Sequence, residues 1–443
     1  MSKATVVPLN EANQSLHNMQ RFRIKQVKPV ISVGFFLCLI SISMLTNAST
    51  PLIEATKNQN RIEVEALLDK GVDADEPQGD GATALHWAAY RNDAVLTDNL
   101  LKHGANPNSS DDHGVTPLSL AVLNANLDLV RLLLTGGANP NARQINGQTP
   151  LMVASRVGKK SIVEALLNSV SNVNDAEKTK KHTALMVAVA GQHEDVAKLL
   201  IEHGADVGAK SINSFTPLLF AAQQGNIELG RLLLEFGADV NESAPDGISG
   251  NTNARYRLIP DTSASALLVA IDSGHEEMAI FLLEKGANPT LNGAGRTALH
   301  SAVQHEMHDL AKTLLTHGAD PNAKLTRNMP VFSRVILIDN GLAVNKLGAT
   351  PFFLAAGFND IRMMDLLLEG GADPFINSDD GTTPLMVAAG ADFVEGQDKY
   401  NRRWFEDNIV GLQNAALPAV ERCLELGIDI NARNEDNQTA LHG

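Results

Sequence analysis

The chain has 443 residues, of which 44% are hydrophobic and only 4% are aromatic, so small aliphatic side chains must fill its interior. Its formal net charge is −15, which repels phosphate backbones and argues against nucleic acid as a partner. It has two cysteines, and Cys38 lies in an N-terminal apolar stretch. Because removal of that stretch as an export signal would leave Cys423 without a partner, a disulfide framework is excluded.

Residues 1–48 have the layout of a secretory signal. Four basic residues come first: Arg21, Arg23, Lys25 and Lys28. An uncharged apolar run follows over Val30–Leu45, and small residues then lead to a predicted cleavage site near Ala48. Met19 is the favoured true start, because residues 1–18 are polar. We expect an exported chain, periplasmic or secreted; an uncleaved membrane anchor and an apolar tail without a role are the alternatives.

A short phrase, Thr-(Pro/Ala)-Leu-x-x-Ala, recurs along the rest of the chain, and its first three intervals are 33 residues each. It opens at Thr50, Thr83, Thr116, Thr149, Thr183, Thr216, Ser265, Thr297, Thr350, Thr383 and Thr439. Threonine caps a helix, proline suits its first position, and the later Leu and Ala have helical spacing. A second amphipathic segment follows, such as Leu129–Leu134, so each unit is predicted to hold two short helices.

A glycine closes the second helix of nearly every unit, 21 residues after the opening Thr or Ser. These glycines are Gly71, Gly104, Gly137, Gly204, Gly237, Gly286, Gly318 and Gly371. A left-handed residue commonly ends a helix, and glycine adopts that conformation at little cost. The fourth unit has Val170 instead, so we expect its helix end to be strained or rebuilt. The tenth unit reaches its glycine, Gly427, only 44 residues after Thr383.

These units resemble the ankyrin repeat. Thr83–Ala88 and Thr297–Ala302 nearly match its opening T-P-L-H-x-A, and Gly237–Asn241 matches its ending G-A-D-V-N. The resemblance covers residues 49–443 and implies an all-α repeat solenoid of helix–turn–helix units with short β-hairpin fingers. Ten full repeats and a truncated eleventh are expected. The family's first helices and fingers form a concave face that binds partners. The family's histidine is absent from several units, which weakens only a local hydrogen-bond network.

Three insertions interrupt the period. The position of the closing glycine places two of them in finger loops, near residues 242–261 and 324–348. The third lies before its glycine and is expected to separate the two helices of the tenth unit, near residues 391–416. Each insertion could contact a partner directly, pack back on the solenoid or lack order, since a longer loop costs little free energy.

The candidate partner-binding residues are mostly aromatic residues and arginines, which dominate the energetics of protein interfaces. They are Trp87, Tyr90, Arg255, Tyr256, Arg257, Phe332, Tyr400, Arg402, Arg403, Trp404 and Phe405. Trp87 and Tyr90 belong to the first helix of the second unit, and the others lie in the insertions. Trp87 could equally be a core residue or an exposed contact.

Catalytic and metal sites are not expected. His300, His305, Glu306 and His308 cluster in the eighth unit, but this stretch is the ordinary turn between two repeat helices. No nucleophile elbow, phosphate-binding glycine loop or zinc-protease motif is present. We therefore predict neither enzymatic activity nor a cofactor.

The sequence accordingly predicts an exported, monomeric scaffold that binds a protein, and the resemblance to secreted ankyrin chains favours a bacterial envelope. No membrane contact is expected beyond a possible N-terminal anchor. One alternative is the docking or regulatory half of an enzyme, with the catalytic part beyond residue 443 or on a partner chain. Another is an effector exported into a host cell. Thr439–Gly443 opens a further repeat and stops, which suggests a fragment or a truncated reading frame.

Overall fold

The computed structural model describes residues 49–169, 171–243, 264–327, 347–390 and 409–442. These residues form ten consecutive helix pairs and a final 3-10 turn at Ala440–His442. The helices are α1 Pro51–Lys57, α2 Arg61–Asp69, α3 Ala84–Tyr90, α4 Ala94–Lys102, α5 Pro117–Leu123, α6 Leu127–Thr135, α7 Pro150–Val157, α8 Lys160–Leu167, α9 Ala184–Ala190, α10 Glu194–Glu202, α11 Pro217–Gln224, α12 Ile227–Glu235, α13 Ala266–Asp272, α14 Glu276–Glu284, α15 Ala298–Gln304, α16 His308–Thr316, α17 Pro351–Gly357, α18 Ile361–Glu369, α19 Pro384–Ala389 and α20 Ile409–Glu425.

The helix pairs stack in series. Each first helix packs against the first helix of the next unit, and each second helix packs against the next second helix. One continuous hydrophobic cluster runs through all ten units. The residue two positions after the opening Thr or Ser is buried in each of the ten helix pairs, as with Leu118 and Phe352. The predicted all-α repeat solenoid is therefore confirmed.

The opening threonines cap their helices as the phrase predicts. The Oγ of Thr149, for example, accepts a hydrogen bond from the backbone N–H of Met152 at 3.4 Å. This contact satisfies one of the N–H groups that the first turn of a helix leaves without a backbone partner. Six first helices begin with a proline directly after the cap, where no N–H is needed.

The fingers are tight turns that hydrogen-bond to one another. In the second unit, the Asp111 N–H donates to the Val115 carbonyl at 3.0 Å, while the Asp112 N–H donates to the Asp80 carbonyl of the preceding finger at 2.9 Å. Within the described ranges, strand pairing is limited to two isolated bridges, Ala176–Thr183 and Ser243–Ser265. The expected hairpin fingers are thus present in a form too short for a regular ladder.

The closing glycines have the left-handed backbone that their spacing predicts. Gly137 has a φ of 93°, and a Cβ placed there would meet no atom within 4 Å. Backbone conformation, rather than lack of space, therefore requires glycine. In the fourth unit the helix end is rebuilt: the Ser171 hydroxyl donates to the Leu166 carbonyl at 2.8 Å. The corresponding carbonyl of the third unit, on Leu133, accepts instead from the backbone N–H of Ala138.

The tenth unit departs from its expected boundaries. Its second helix, α20, begins at Ile409 and has 17 residues, so it includes the end of the third insertion. The spacing of the closing glycine locates only the last two turns of a helix. It cannot show how far the helix extends toward its N-terminus. The sequence over residues 409–416 has no charge and no proline to stop the helix earlier.

Two buried histidines complete the caps of their helices. The Thr297 N–H donates to Nδ1 of His300 at 3.2 Å, and Nε2 of the same ring lies 3.3 Å from the Ala349 carbonyl. His86 makes the equivalent contacts with Thr83 and Val115. These contacts require the neutral ring with its proton on Nε2, because Nδ1 must accept. Burial accordingly lowers the pKa of His300 to about 4.

We predict that Gly137→Ala lowers the free energy of unfolding by about 1 kcal/mol, because alanine is strained in the left-handed region. Urea unfolding followed by circular dichroism measures this change. Gly208→Ala is the matched control, since Gly208 lacks a positive φ and a Cβ there meets only an Asp206 oxygen at 3.5 Å. Equal stability losses in the two variants would contradict the assignment of the glycine to backbone conformation.

We also predict that the His300 cap makes stability depend on pH. The unfolded chain takes up a proton on this histidine below about pH 6.5, whereas the folded chain resists it until about pH 4. The stabilisation is therefore present above pH 6.5 and is lost as the pH falls toward 4, by about 3 kcal/mol in all. His300→Gln should remove this part of the pH dependence of the urea midpoint, whereas His113→Gln, at an exposed ring, should retain it. Parallel profiles for His300→Gln and the unmodified chain would refute the neutral cap.

Candidate functional site

An apolar row runs along the first helices of the second to sixth units. We define it as the residues four positions after each opening threonine: Trp87, Leu120, Val153, Val187 and Phe220. Because the first helices stack in series, these equivalent positions follow one another along one face. All except Val153 are only partly buried. Tyr90 and Leu123, three residues further along α3 and α5, are 45% and 51% exposed.

The equivalent positions are buried in the last four units. Val269, Ser301, Leu354 and Val387 occupy the equivalent positions and are at most 1% exposed. The positions just before the opening Thr or Ser are equally buried there, as at Arg296. The accessible part of the first-helix face therefore belongs to the first six units, within residues 49–243.

Trp87 and Tyr90 form an aromatic pair at the N-terminal end of the apolar row. Their rings meet edge to face with centroids 5.7 Å apart. The Trp87 indole N–H donates to the Gln78 side chain at 3.3 Å, and the Lys57 ammonium lies 4.7 Å from the centre of the Trp87 ring. Trp87 therefore combines the two alternatives, core residue and exposed contact: its ring packs on the core and remains partly accessible.

A second aromatic group lies at the other end of the row, and it was absent from the predicted site. The Phe220 ring makes edge contacts with His182 and Phe215, at centroid distances of 5.5 and 5.4 Å. Desolvation lowers the pKa of His182. The repeat spacing could have identified Phe220, because Phe220 lies four residues after its opening threonine, as Trp87 does.

The first two fingers carry an excess of negative charge. Their six acidic residues are Asp73, Asp75, Glu76, Asp80, Asp111 and Asp112. None forms an ion pair with another residue in the part of the chain that the structure describes. Two ion pairs join neighbouring fingers further along the chain. Arg143 contacts Asp175 at 2.5 Å, and Lys210 contacts Glu242 at 2.8 Å.

The predicted site residues of the three insertions lie outside the described residues. They are Arg255, Tyr256, Arg257, Phe332, Tyr400, Arg402, Arg403, Trp404 and Phe405. The N-terminal segment, residues 1–48, also lies outside. Across the described ranges, no helix combines the length and the hydropathy that crossing a membrane requires.

The histidines of the eighth unit have separate structural partners. His300 caps α15, whereas Nε2 of His308 lies 2.8 Å from the Asp360 carboxylate in the next unit. Among the residues with described positions, no three potential metal ligands converge. The sequence also did not reveal a buried ion pair between Arg296 and Asp272, whose charged atoms lie 2.6 Å apart. This pair links α13 to the residue that directly precedes Thr297, the opening residue of the eighth unit.

Comparison with known proteins supports the family resemblance. Profiles described as "Ankyrin repeats (3 copies)" match overlapping segments that span residues 32–324, and "Ankyrin repeat" matches residues 347–379. Human Rabankyrin-5 is 27% identical over 41% of this chain, which covers 15% of that protein. The mouse B-cell lymphoma 3 protein homolog is 33% identical over 28% of this chain and 24% of its own length.

A solved structure, the human ASB11 ankyrin repeat domain, aligns with a TM-score of 0.45 and 27% identity, covering 54% of this chain and all of that one. The chain thus covers only a small part of the curated relatives named above, and they share its repeats rather than its full organisation. The family profiles, by contrast, match well over half of this chain. It belongs to the ankyrin-repeat family.

Proposed function

We propose that this chain is a non-catalytic, monomeric scaffold that binds a protein through the first-helix face of its first six units. Ankyrin repeats generally mediate protein–protein interaction. The observation that carries the proposal is the apolar row, which stays accessible only in these units. It includes Trp87, and the exposed Tyr90 lies beside it; tryptophan and tyrosine supply much of the energy of protein interfaces.

The local structure suits recognition. Caps, closing glycines and hydrogen bonds between fingers hold the backbone of this face. A surface that is already ordered loses little conformational entropy when a partner binds, so more of the contact energy appears as affinity. The acidic character of the chain further supports a protein rather than a nucleic acid as the partner.

We propose in addition that residues 1–48 direct export from the cytoplasm. The support is the order of basic cluster, apolar run and small residues before Ser49. Cleavage after Ala48 would leave the first repeat, which opens at Thr50, intact. The partner would then be a protein of the envelope or of the medium.

We predict that Tyr90→Ser/Leu123→Ser reduces the recovery of specifically bound protein in affinity capture about tenfold or more, because both side chains are exposed on the first-helix face beside the apolar row. Quantitative mass spectrometry of material captured from source-cell extract gives the readout. The control is Ile62→Ser/Val95→Ser, which removes two even more exposed apolar side chains from the second helices α2 and α4. Equal losses for the two pairs, or no loss for the first, would contradict binding by the first-helix face.

For export, we predict that the mature chain begins at Ser49. Expression in a Gram-negative bacterium, cell fractionation and N-terminal sequencing test this directly. Phe36→Arg/Leu39→Arg should keep the uncleaved chain in the cytoplasm, because two charges interrupt the apolar run. Lys3→Gln, which lies before the basic cluster, should leave processing unchanged. An uncleaved cytoplasmic chain without any substitution would refute the proposal.

A further inference from the structure

We propose that the second and third units dock a basic segment of the partner protein, whose lysines or arginines face the first two fingers and whose apolar side chain packs on the aromatic end of the row. This inference rests on the proposed function and narrows it to one place and one partner chemistry. We define the acidic docking surface as Trp87, Tyr90, Leu120, Leu123 and the six acidic residues of the first two fingers.

The apolar part of the acidic docking surface lies on two adjacent helices. Tyr90 and Leu123 end α3 and α5, which pack directly against each other. Both are about half exposed, while Trp87 and Leu120 are partly buried one turn earlier. Large side chains that are half desolvated already, and that stand on a packed helix, favour an apolar contact at low entropic cost.

The acidic part is joined to the apolar part through Gln78. Its amide nitrogen lies 2.9 and 3.0 Å from the two carboxylate oxygens of Asp80, while its amide oxygen accepts from the Trp87 indole N–H at 3.3 Å. The Gln78 side chain thus contacts both the Asp80 carboxylate and the Trp87 indole ring. A basic side chain beside a segment on Trp87 can therefore reach the Asp80 carboxylate.

Backbone hydrogen bonds hold these carboxylates in place. Asp80 accepts from the Ala82 N–H at 3.0 Å, and Asp111 accepts from the Val115 N–H at 2.8 Å. Asp75 accepts from the Asn106 N–H of the next unit at 2.8 Å. The negative charges are thus ordered before a partner arrives, and charge complementarity of this kind selects the partner and speeds its approach.

The surroundings add a reason for a basic occupant. Ion pairs link later fingers at Arg143–Asp175 and Lys210–Glu242, whereas the six acidic residues of the first two fingers form none with the described residues. The Lys57 ammonium already lies over the Trp87 ring, and Glu54 pairs with it at 3.0 Å. A cation fits against this ring, as the attraction between cations and aromatic faces would lead one to expect.

Three short fluorescent peptides of equal length test the inference with the full chain, using anisotropy. The first combines lysine with leucine, the second replaces each lysine by glutamate, and the third replaces each leucine by serine. We expect the lysine–leucine peptide to bind about tenfold more tightly than the lysine–serine peptide. The glutamate–leucine peptide should bind more weakly than both.

Isosteric variants locate the binding. Asp80→Asn/Asp112→Asn should weaken the lysine–leucine peptide about fivefold or more, since it removes charge while keeping the side-chain oxygen bonded to Ala82. Glu65→Gln/Glu202→Gln removes the same charge from exposed positions on α2 and α10 and should leave affinity unchanged. Tyr90→Ser should weaken the lysine–leucine peptide and spare the lysine–serine peptide. Thermal unfolding of each variant checks that the fold is retained.

Equal losses for the two charge pairs would show non-specific attraction to an acidic chain and would overturn the inference. Tighter binding of the glutamate–leucine peptide, lost in Tyr90→Ser, would overturn it as well, because the face would then bind a segment of opposite charge. Absence of binding by all three peptides would also overturn it. None of these results depends on affinity capture by the Tyr90→Ser/Leu123→Ser pair, so failure of the basic-segment assignment is separable from failure of the proposed function.

Discussion

Contact between neighbouring units is the interaction on which this structure depends. Nineteen of the twenty described helices have only six to nine residues, and isolated helices of that length are marginal in water. A single pair also has too little apolar surface to form a core. Leu118 is buried because α5 lies between α3 and α7 as well as against its own partner α6. Stability therefore grows with each added unit.

This construction separates folding from recognition. The buried leucines, capping threonines and closing glycines repeat from unit to unit, whereas the apolar row and the fingers vary. Trp87 and Val187 occupy the same register on the same backbone, and Asp80 and Asn146 occupy the same finger position. Side chains at these positions can change without disturbing the stack. Under the proposed function, the variable positions select the partner, and the repeated ones hold them in place.

Sequence reasoning recovered the period, the caps and the glycines because each depends on contacts within one unit or its immediate neighbours. Thr149 and Gly137 could be interpreted from local geometry alone. The half-burial of Trp87 could not, because it depends on side chains such as Gln78 and Lys57 that no spacing rule brings together. Two features depend on the surrounding side chains and were not predicted. They are the buried Arg296–Asp272 pair and the burial of the row's equivalent positions in the last four units. The early start of α20 was missed because its closing glycine marks only the end of that helix.

Serial stacking stabilises the units without help from any distant part of the chain. The most direct measurement is circular dichroism and urea unfolding of two fragments, residues 49–243 with six helix pairs and residues 49–104 with two. The longer fragment should be helical and unfold cooperatively. The shorter one should be largely unfolded, because about three repeats are needed for a stable stack. An unfolded longer fragment, or a shorter fragment with full helicity, would contradict the claim.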